Sequence, residues 1–288
     1  MSAFIELILN GLMLGSLFAL FGLGLSLSLG VMRMINLAHG DLIVLGAYAA
    51  GASMAWFHIN PLLALLVVLP AMFALGWLLQ TVLLNRLVAA GALAPLLVTF
   101  GLSIVIQNLL LEVFSANTRS LPSGELALRG IRLGEVSLGV LPLLITAVSL
   151  SVYAATHWLV ARSHWGRQAR AVADDPQTAR LVGVNDRRFF ALMAGFVMAV
   201  TGLAAVLYGI KTPFSPSAGP ERLLFAFEAV VLGGLGNLWG TFIGGLIIGL
   251  AHVLGAQINS GLGPFFGHVV FLVALVARPQ GLFAKGSR

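Results

Sequence analysis

Long charge-free apolar runs alternate with short polar breaks along this chain, and the runs have the length of membrane-spanning helices. About 20 consecutive apolar residues cross a bilayer as a helix. Such runs occupy residues 7–32, 42–85, 87–111, 136–161, 189–210 and 229–277. The second is split into two spans by His58-Ile59-Asn60-Pro61. The last is preceded by a helix-like stretch from Leu223 and interrupted at Gly233-Gly234-Leu235-Gly236-Asn237 and again at Asn259–Pro264. The pattern predicts an all-α integral membrane protein of about 8–9 membrane segments, including short or broken helices, in a single domain over residues 1–288.

Loop charge sets the orientation. Segment 162–188 carries Arg162, Arg167, Arg170, Arg180, Arg187 and Arg188 and is expected on the cytoplasmic side. Counting back through five spans puts the amino terminus outside, which suits the uncharged-to-acidic start Met1–Glu6. The first run is too long for the apolar part of a cleaved signal, and no basic segment precedes it. Three spans over 223–277 bring the tail, with Arg278, Lys285 and Arg288, to the inside together with Arg33 and Arg86. Nine segments follow, with a short element at 223–236. Segment 112–135, with Glu112, Arg119, Glu125, Arg129, Arg132 and Glu135, reads as a compact outer loop.

Composition narrows the function. The chain is 59% hydrophobic and 9% charged, against about 45–50% and 25% in soluble domains. A soluble globular protein, a disordered chain and a nucleic-acid binder are excluded. The net charge of +6 comes from arginines that fall mainly between the apolar runs, as cytoplasmic loops require. Cysteine is absent, so there is no disulfide and no thiolate metal site. No HExxH, GxSxG or GxxxxGK[ST] pattern occurs. The chain is therefore expected to be non-catalytic and to hold no cofactor or metal. His157 and His164 read as polar tips at headgroup level. Any ATP would be bound by a partner subunit.

Two stretches break the apolar pattern with glycine and polar residues: Met34–Asp41 and 223–241. In lipid such breaks must be covered by protein. Small residues that allow close helix packing flank them, Gly11 and Gly15 in the first half and Gly236, Gly240 and Gly244 in the second. The arrangement has a loose two-fold echo, and broken helices in repeats often lie near a transporter's substrate. Asn36, His39 and Asp41 are candidates to line a translocation path. Alternatively, Asn36 and Asp41 cap helices and His39 sits at the inner interface. Glu228 is a further path candidate, because an ionisable group costs roughly 2.5–3.5 kcal/mol at a membrane helix centre. Arg222 is its one basic neighbour in sequence. His252 and His268 read as interhelical hydrogen-bonding groups.

The arginine-rich loop is more than a solvated connection. Asp175 precedes Pro176, giving an N-cap and a first helical residue that needs no donor. Gln177–Val182 completes a short helix, Gly183 is the left-handed stop, and Asn185 caps the next helix with Asp186 in its first turn. A flexible loop has no need of such signals on both sides. A docking helix is expected.

The residues now resemble a known family. GRQARAVADDPQTARLVGVN from Gly166 is similar to the coupling loop of permease subunits in branched-chain amino-acid ABC importers. RMINLAHGDLIVLGAYAAG at 33–51, AVVLGGLGNLWGTFIGGLIIG at 229–249 and ARPQGLF at 277–283 also resemble that family, in the same order. The resemblance implies the type II importer transmembrane fold in a bacterial inner membrane. It implies a second permease subunit (a copy or a paralogue), two cytoplasmic ATPase subunits, a periplasmic substrate-binding protein and membrane lipid as partners. Segment 112–135 would be part of the binding protein's platform. Gly166, Arg170, Ala171, Asp174, Asp175, Ala179 and Gly183 would couple to the ATPase. Val184, where isoleucine is frequent, and Glu228 depart from the commoner pattern. Urea, amide and aromatic-acid importers share the family's features. A stand-alone secondary transporter or channel, with Asp41 and Glu228 carrying a proton, would explain the buried acids but not the capped loop helix.

Overall fold

The computed structural model describes residues 2–87, 91, 93–122, 124, 129–134 and 136–283. Glu125 and Glu135 of the outer loop and Lys285 and Arg288 of the tail lie outside them. Helix α1 (Ser2–Leu27) continues through a wide turn at Ser28–Met32, after which Arg33 takes a left-handed φ of 52° and reverses the chain. Helix α2 (His39–Phe57) ends at His58, also left-handed. Asn60 then accepts a hydrogen bond from the Leu63 amide at 2.9 Å, and Pro61 opens α3 (Pro61–Val82). Helices α4 (Leu93–Phe114) and α5 (Val140–Arg162) follow, then α6 (His164–Asp174), α7 (Pro176–Leu181), α8 (Asp186–Lys211), α9 (Gly219–Gly233), α10 (Leu238–Ile258) and α11 (Gly263–Ala277).

Eight stretches are long and apolar enough to span a membrane, built on α1–α5, α8, α10 and α11. Helix α9, the expected short ninth segment, is not among them: its 15 residues reach only about 22 Å, less than the ~30 Å hydrocarbon core, whereas α11, of equal length, is extended to 18 residues by the turn at Ser260–Leu262. Two sequence expectations change. Residues 136–139 belong not to the fifth span but to a two-stranded antiparallel hairpin, β1 (Gly130–Leu133) with β2 (Val136–Gly139), so the outer loop carries regular structure. The arginine-rich loop between α5 and α8 holds two helices rather than one. Its first, α6, alternates Arg167 and Arg170 outward with Ala169 and Val172 inward. Its apolar face is so narrow that it left no apolar run to find.

Helices α1, α2, α8 and α9 form the inside of the bundle, and α3, α4, α5 and α11 bury less than a quarter of their apolar stretches. Leu66, Val105 and Val276 on that outer ring are exposed, as lipid-facing residues are. Glycine sets the tightest contacts. A Cβ on Gly15 would lie 2.6 Å from the Gly245 carbonyl oxygen, and one on Gly249 would lie 2.2 Å from Gly15. The Gly11/Gly15 stripe of α1 therefore meets Gly245 and Gly249 of α10. Gly240 and Gly244 face the other way, onto Gly233 and Ala229 of α9. Gly236 falls in the turn before α10, against Gly30.

Candidate functional site

The two broken stretches foreseen in the sequence meet each other. Helices α2 and α9 start side by side, with Gly40 of one against Gly219 of the other. Asp41 sits in this joint and is 1% exposed. Its Oδ2 accepts a 2.6 Å hydrogen bond from the Ser103 hydroxyl on α4, and Gln107 Nε2 donates to that same hydroxyl at 3.2 Å. Its Oδ1 has no hydrogen-bond partner among the described residues and points at the start of α9. The carboxylate thus lies against the positive ends of two helices, which favour negative charge.

Its neighbours are placed less simply than either sequence reading. Asn36 Oδ1 accepts from the Ala38 amide at 3.0 Å, a local turn just before α2, and the N-cap itself is Ala38 without a side-chain cap. Asp41 is in the first turn but accepts its hydrogen bond from the Ser103 hydroxyl rather than from the helix end. His39 is buried within the bundle, and its Nε2 lies 2.9 Å from the Phe21 carbonyl of α1, so that nitrogen donates. Gly24 leaves the space its ring occupies.

Cavities lie on both sides of the joint. On the inner side, Asn36, Leu42, Gln80, Thr99 and Met198 line a space of ≈ 40 Å³, room for a few waters. The Gln80 side chain is fully buried, with its Oε1 unpartnered. On the outer side, Tyr48, Trp56, Phe114, Arg119, Leu121 and Phe214 line a recess of ≈ 630 Å³. Arg119 lies 5.2 Å from the Phe114 ring centre and pairs its backbone with that of Phe214. Nothing in the sequence marked these aromatic residues as a group, because three separate segments supply them. Between the two spaces α2 is packed shut, with Gly46 on Ala205 and Gly40 on Gly219.

Glu228 is elsewhere. It lies nine residues beyond Gly219, a half-turn away in helical phase, and its Oε1 is 2.5 Å from Nδ1 of His268 on α11. Arg222, its one basic neighbour in sequence, does not pair with it: Arg222 reaches back to Glu221 at 2.8 Å and covers the Tyr208 ring. Six residues apart on α9, the two side chains lie about 120° apart in helical phase and diverge. His252 packs edge-on against Phe18 and Phe225. Among the described residues no cluster of metal-ligating side chains occurs.

The arginine-rich loop between α5 and α8 is a built unit. Ser163 caps α6 by accepting from the Gly166 amide at 2.9 Å. Gly166 and Arg170 both address the Val160 carbonyl of α5: a Cβ at 166 would collide with it, and the Arg170 guanidinium donates to it. Asp174 ends α6. Asp175 caps α7, accepting from the Gln177 amide and from the Thr178 hydroxyl. The Thr178 hydroxyl, with the neighbouring amides, holds the Asp175 carboxyl below the usual range. Ala171 is half-buried and Ala179 is buried at 3% exposure. Gly183 has φ 88°, the left-handed stop expected. Arg180 then grips Asp186 at the start of α8 with two hydrogen bonds of 2.9 and 2.6 Å. The loop's outward apolar face is Leu181 and Val182, 87% and 74% exposed. Sequence reasoning passed over them. Their signal was a Leu-Val pair directly before a helix-stopping glycine.

A family profile described as the permease component of the branched-chain amino acid transport system matches residues 7–277. The chain belongs to this permease family. Curated relatives agree along nearly the full length. The high-affinity branched-chain amino acid transport system permease protein BraD of Pseudomonas aeruginosa is 28% identical, over 98% of this chain and 96% of its own. LivH of Escherichia coli, of the same description, is also 28% identical over the same shares. The fructose import permease protein FrcC of Rhizobium meliloti is 30% identical over 75% of this chain and 61% of its own. No solved structure matches. The chain is thus an ABC-type transport permease of branched-chain amino-acid type, with an all-α membrane fold.

Proposed function

We propose that this permease is the non-catalytic membrane subunit of an ATP-driven importer for branched-chain or related amino acids, in a bacterial inner membrane. Its partners are a second permease subunit, two cytoplasmic ATPase subunits that bind the ATP, and a periplasmic substrate-binding protein. The observation that carries this reading is the Leu181–Val182 pair. A soluble-side helix that is capped at Asp175, stopped at Gly183 and clamped by Arg180 to Asp186 holds two large apolar residues out into water. Exposed apolar groups on a rigid mount mark a protein contact, and here the partner is the ATPase. Asp175, Asp174 and Arg170 surround or support that contact, whereas Gly166, Ala171, Ala179 and Gly183 shape the unit that presents it.

The substrate path follows α2. It enters at the aromatic recess around Tyr48 and Arg119, passes the Gly40–Gly219 joint beside Asp41, and leaves through the cavity lined by Asn36 and Thr99. His39 holds α2 against α1. ATP-driven movement of α7 shifts the population between states open on one side and the other. Glu228 acts as a clamp between α9 and α11.

Affinity-tagged chain isolated from its own cells should bring down an ATPase, and uptake of a radiolabelled branched-chain amino acid should require it. Uptake by the chain alone in vesicles with a proton gradient would instead support a stand-alone secondary transporter using the unpartnered carboxylate of Asp41.

A further inference from the structure

At the inner ends of α3 and α8, three arginines surround one cavity without an anion. Arg86 closes the turn after α3, and Arg187 and Arg188 stand in the first turn of α8. Together with Trp77, Thr81 and Asn85 they line a recess of ≈ 420 Å³. All three arginines are exposed, and among the described residues none of their guanidinium groups has a hydrogen-bonding or acidic partner.

Electrostatics favours an anion at this position. The start of a helix carries positive partial charge and disfavours cations, yet Arg187 and Arg188 stand at the start of α8 with Arg86 beside them. An anion in the recess would add an attractive interaction with each of these groups. The mount is rigid. Gly76 lets α3 approach the Ala194 carbonyl of α8, where a Cβ would lie at 2.5 Å, and Asn85 Nδ2 donates to the Arg187 carbonyl at 3.3 Å. The lining is also graded. Trp77 and Thr81 are four residues apart and so share one stripe of α3, and Asn85 follows in the turn after it, so the lining runs from an exposed indole toward the cationic end. An indole at the membrane side and arginines at the water side match the two halves of a lipid.

We propose that this recess binds the phosphate headgroup of an anionic phospholipid of the cytoplasmic leaflet, with an acyl chain along Trp77. The inference goes beyond the transport function and rests on the orientation set by loop charge. Arg187 and Asn85 also line the adjoining recess with Asp175, Pro176 and Arg180, so a bound headgroup braces the joint on which α7 stands.

Native mass spectrometry of the purified full chain, titrated with phosphatidylglycerol, phosphatidylcholine or inorganic phosphate, tests this. Phosphatidylglycerol should bind more tightly than phosphatidylcholine by at least about 10-fold, and inorganic phosphate should bind weakly. One surface cation is worth about 5-fold, so the Arg86→Gln/Arg187→Gln/Arg188→Gln chain should lose about 100-fold for phosphatidylglycerol. Arg86→Gln alone, which leaves α8 untouched, should lose about 5-fold. Arg162→Gln/Arg167→Gln, which removes two charges from the neighbouring loop, should lose little. Equal binding of the two lipids, or unchanged binding in both Arg86 variants, would overturn the proposal. Phosphate binding as tight as the lipid's would make the recess a soluble-anion site and overturn it too. Loss of the co-purifying ATPase in the triple variant with lipid binding intact would assign the arginines to that partner instead.

Discussion

Gly40 and Gly219 meet so closely that neither position has room for a side chain: a Cβ at 40 would lie 1.9 Å from the Gly219 carbonyl oxygen, and a Cβ at 219 would lie 1.9 Å from Asp41 Oδ1. Gly219 has φ −56°, which any residue adopts. Glycine is needed there for space alone. Overpacking of this kind costs about 1–3 kcal/mol. Gly219→Ala should lower the thermal midpoint of the purified chain by several degrees and cut uptake at matched abundance. A variant with both unchanged would show that the joint opens without cost, and that α2 and α9 do not form the constriction.

Asp41 occupies that joint with one oxygen on Ser103 and the other free. Asp41→Asn keeps the size and still accepts the Ser103 hydroxyl, but removes the ionised form. Uptake should fall about 10-fold or more while the chain stays inserted and assembled. Ser103→Ala, which strips the carboxylate of its donor, should cost about 1–3 kcal/mol of stability. Normal uptake in Asp41→Asn, measured across substrate concentrations, would remove the charge from the mechanism.

The segments were legible in the sequence because lipid imposes one rule on every span, and the apolar runs recorded it. The α7 unit was legible for a different reason: Asp175, Pro176, Gly183 and Asn185 are local signals whose partners lie within three residues. What could not be read was which face meets which. Asp41 and Ser103 are 62 residues apart, and Glu228 and His268 are 40 apart. On all-apolar helices no stripe tells inside from outside. Helix α6 was missed because its buried face consists of Gly166, Ala169 and Val172, too small and too few to stand out among arginines.

The coupling reading predicts a separation of functions. Leu181→Asp/Val182→Asp changes only exposed side chains, so insertion and thermal stability should match the parent chain. Co-purification of the ATPase should fall about 10-fold or more, with uptake lost in proportion. Gly183→Val, which forces a β-branched residue into a left-handed turn at roughly 1–2 kcal/mol, should give a weaker version of the same defect. Full ATPase recovery with the double aspartate variant would mean that α7 is a passive connection.

Orientation can be tested cleanly because the chain has no cysteine. Ser120→Cys, on the outer loop, should react with a membrane-impermeant thiol reagent in intact cells. Thr178→Cys, on α7, should react only after permeabilisation. Labelling of position 178 from outside would invert the whole arrangement, and with it the side assigned to the arginine recess.

The pairing of Glu228 with His268 separates a clamp from a path residue. Glu228 is 1% exposed, and His268 supplies its one hydrogen bond. A buried carboxylate left without a partner is expensive, whereas a neutral amide of the same shape is far less so. If the pair holds α9 to α11, His268→Ala should destabilise the chain more than Glu228→Gln does. Glu228→Gln can still accept from an imidazole N–H, so its uptake should keep the parent's KM and most of its rate. A charge that serves transport gives the opposite order: Glu228→Gln would be fully stable and inactive, and His268→Ala would differ little from it. Thermal midpoints and uptake kinetics measured on both variants at equal abundance therefore decide the matter. A stable, inactive Glu228→Gln chain would move the path from the α2 side of α9 to the α11 side.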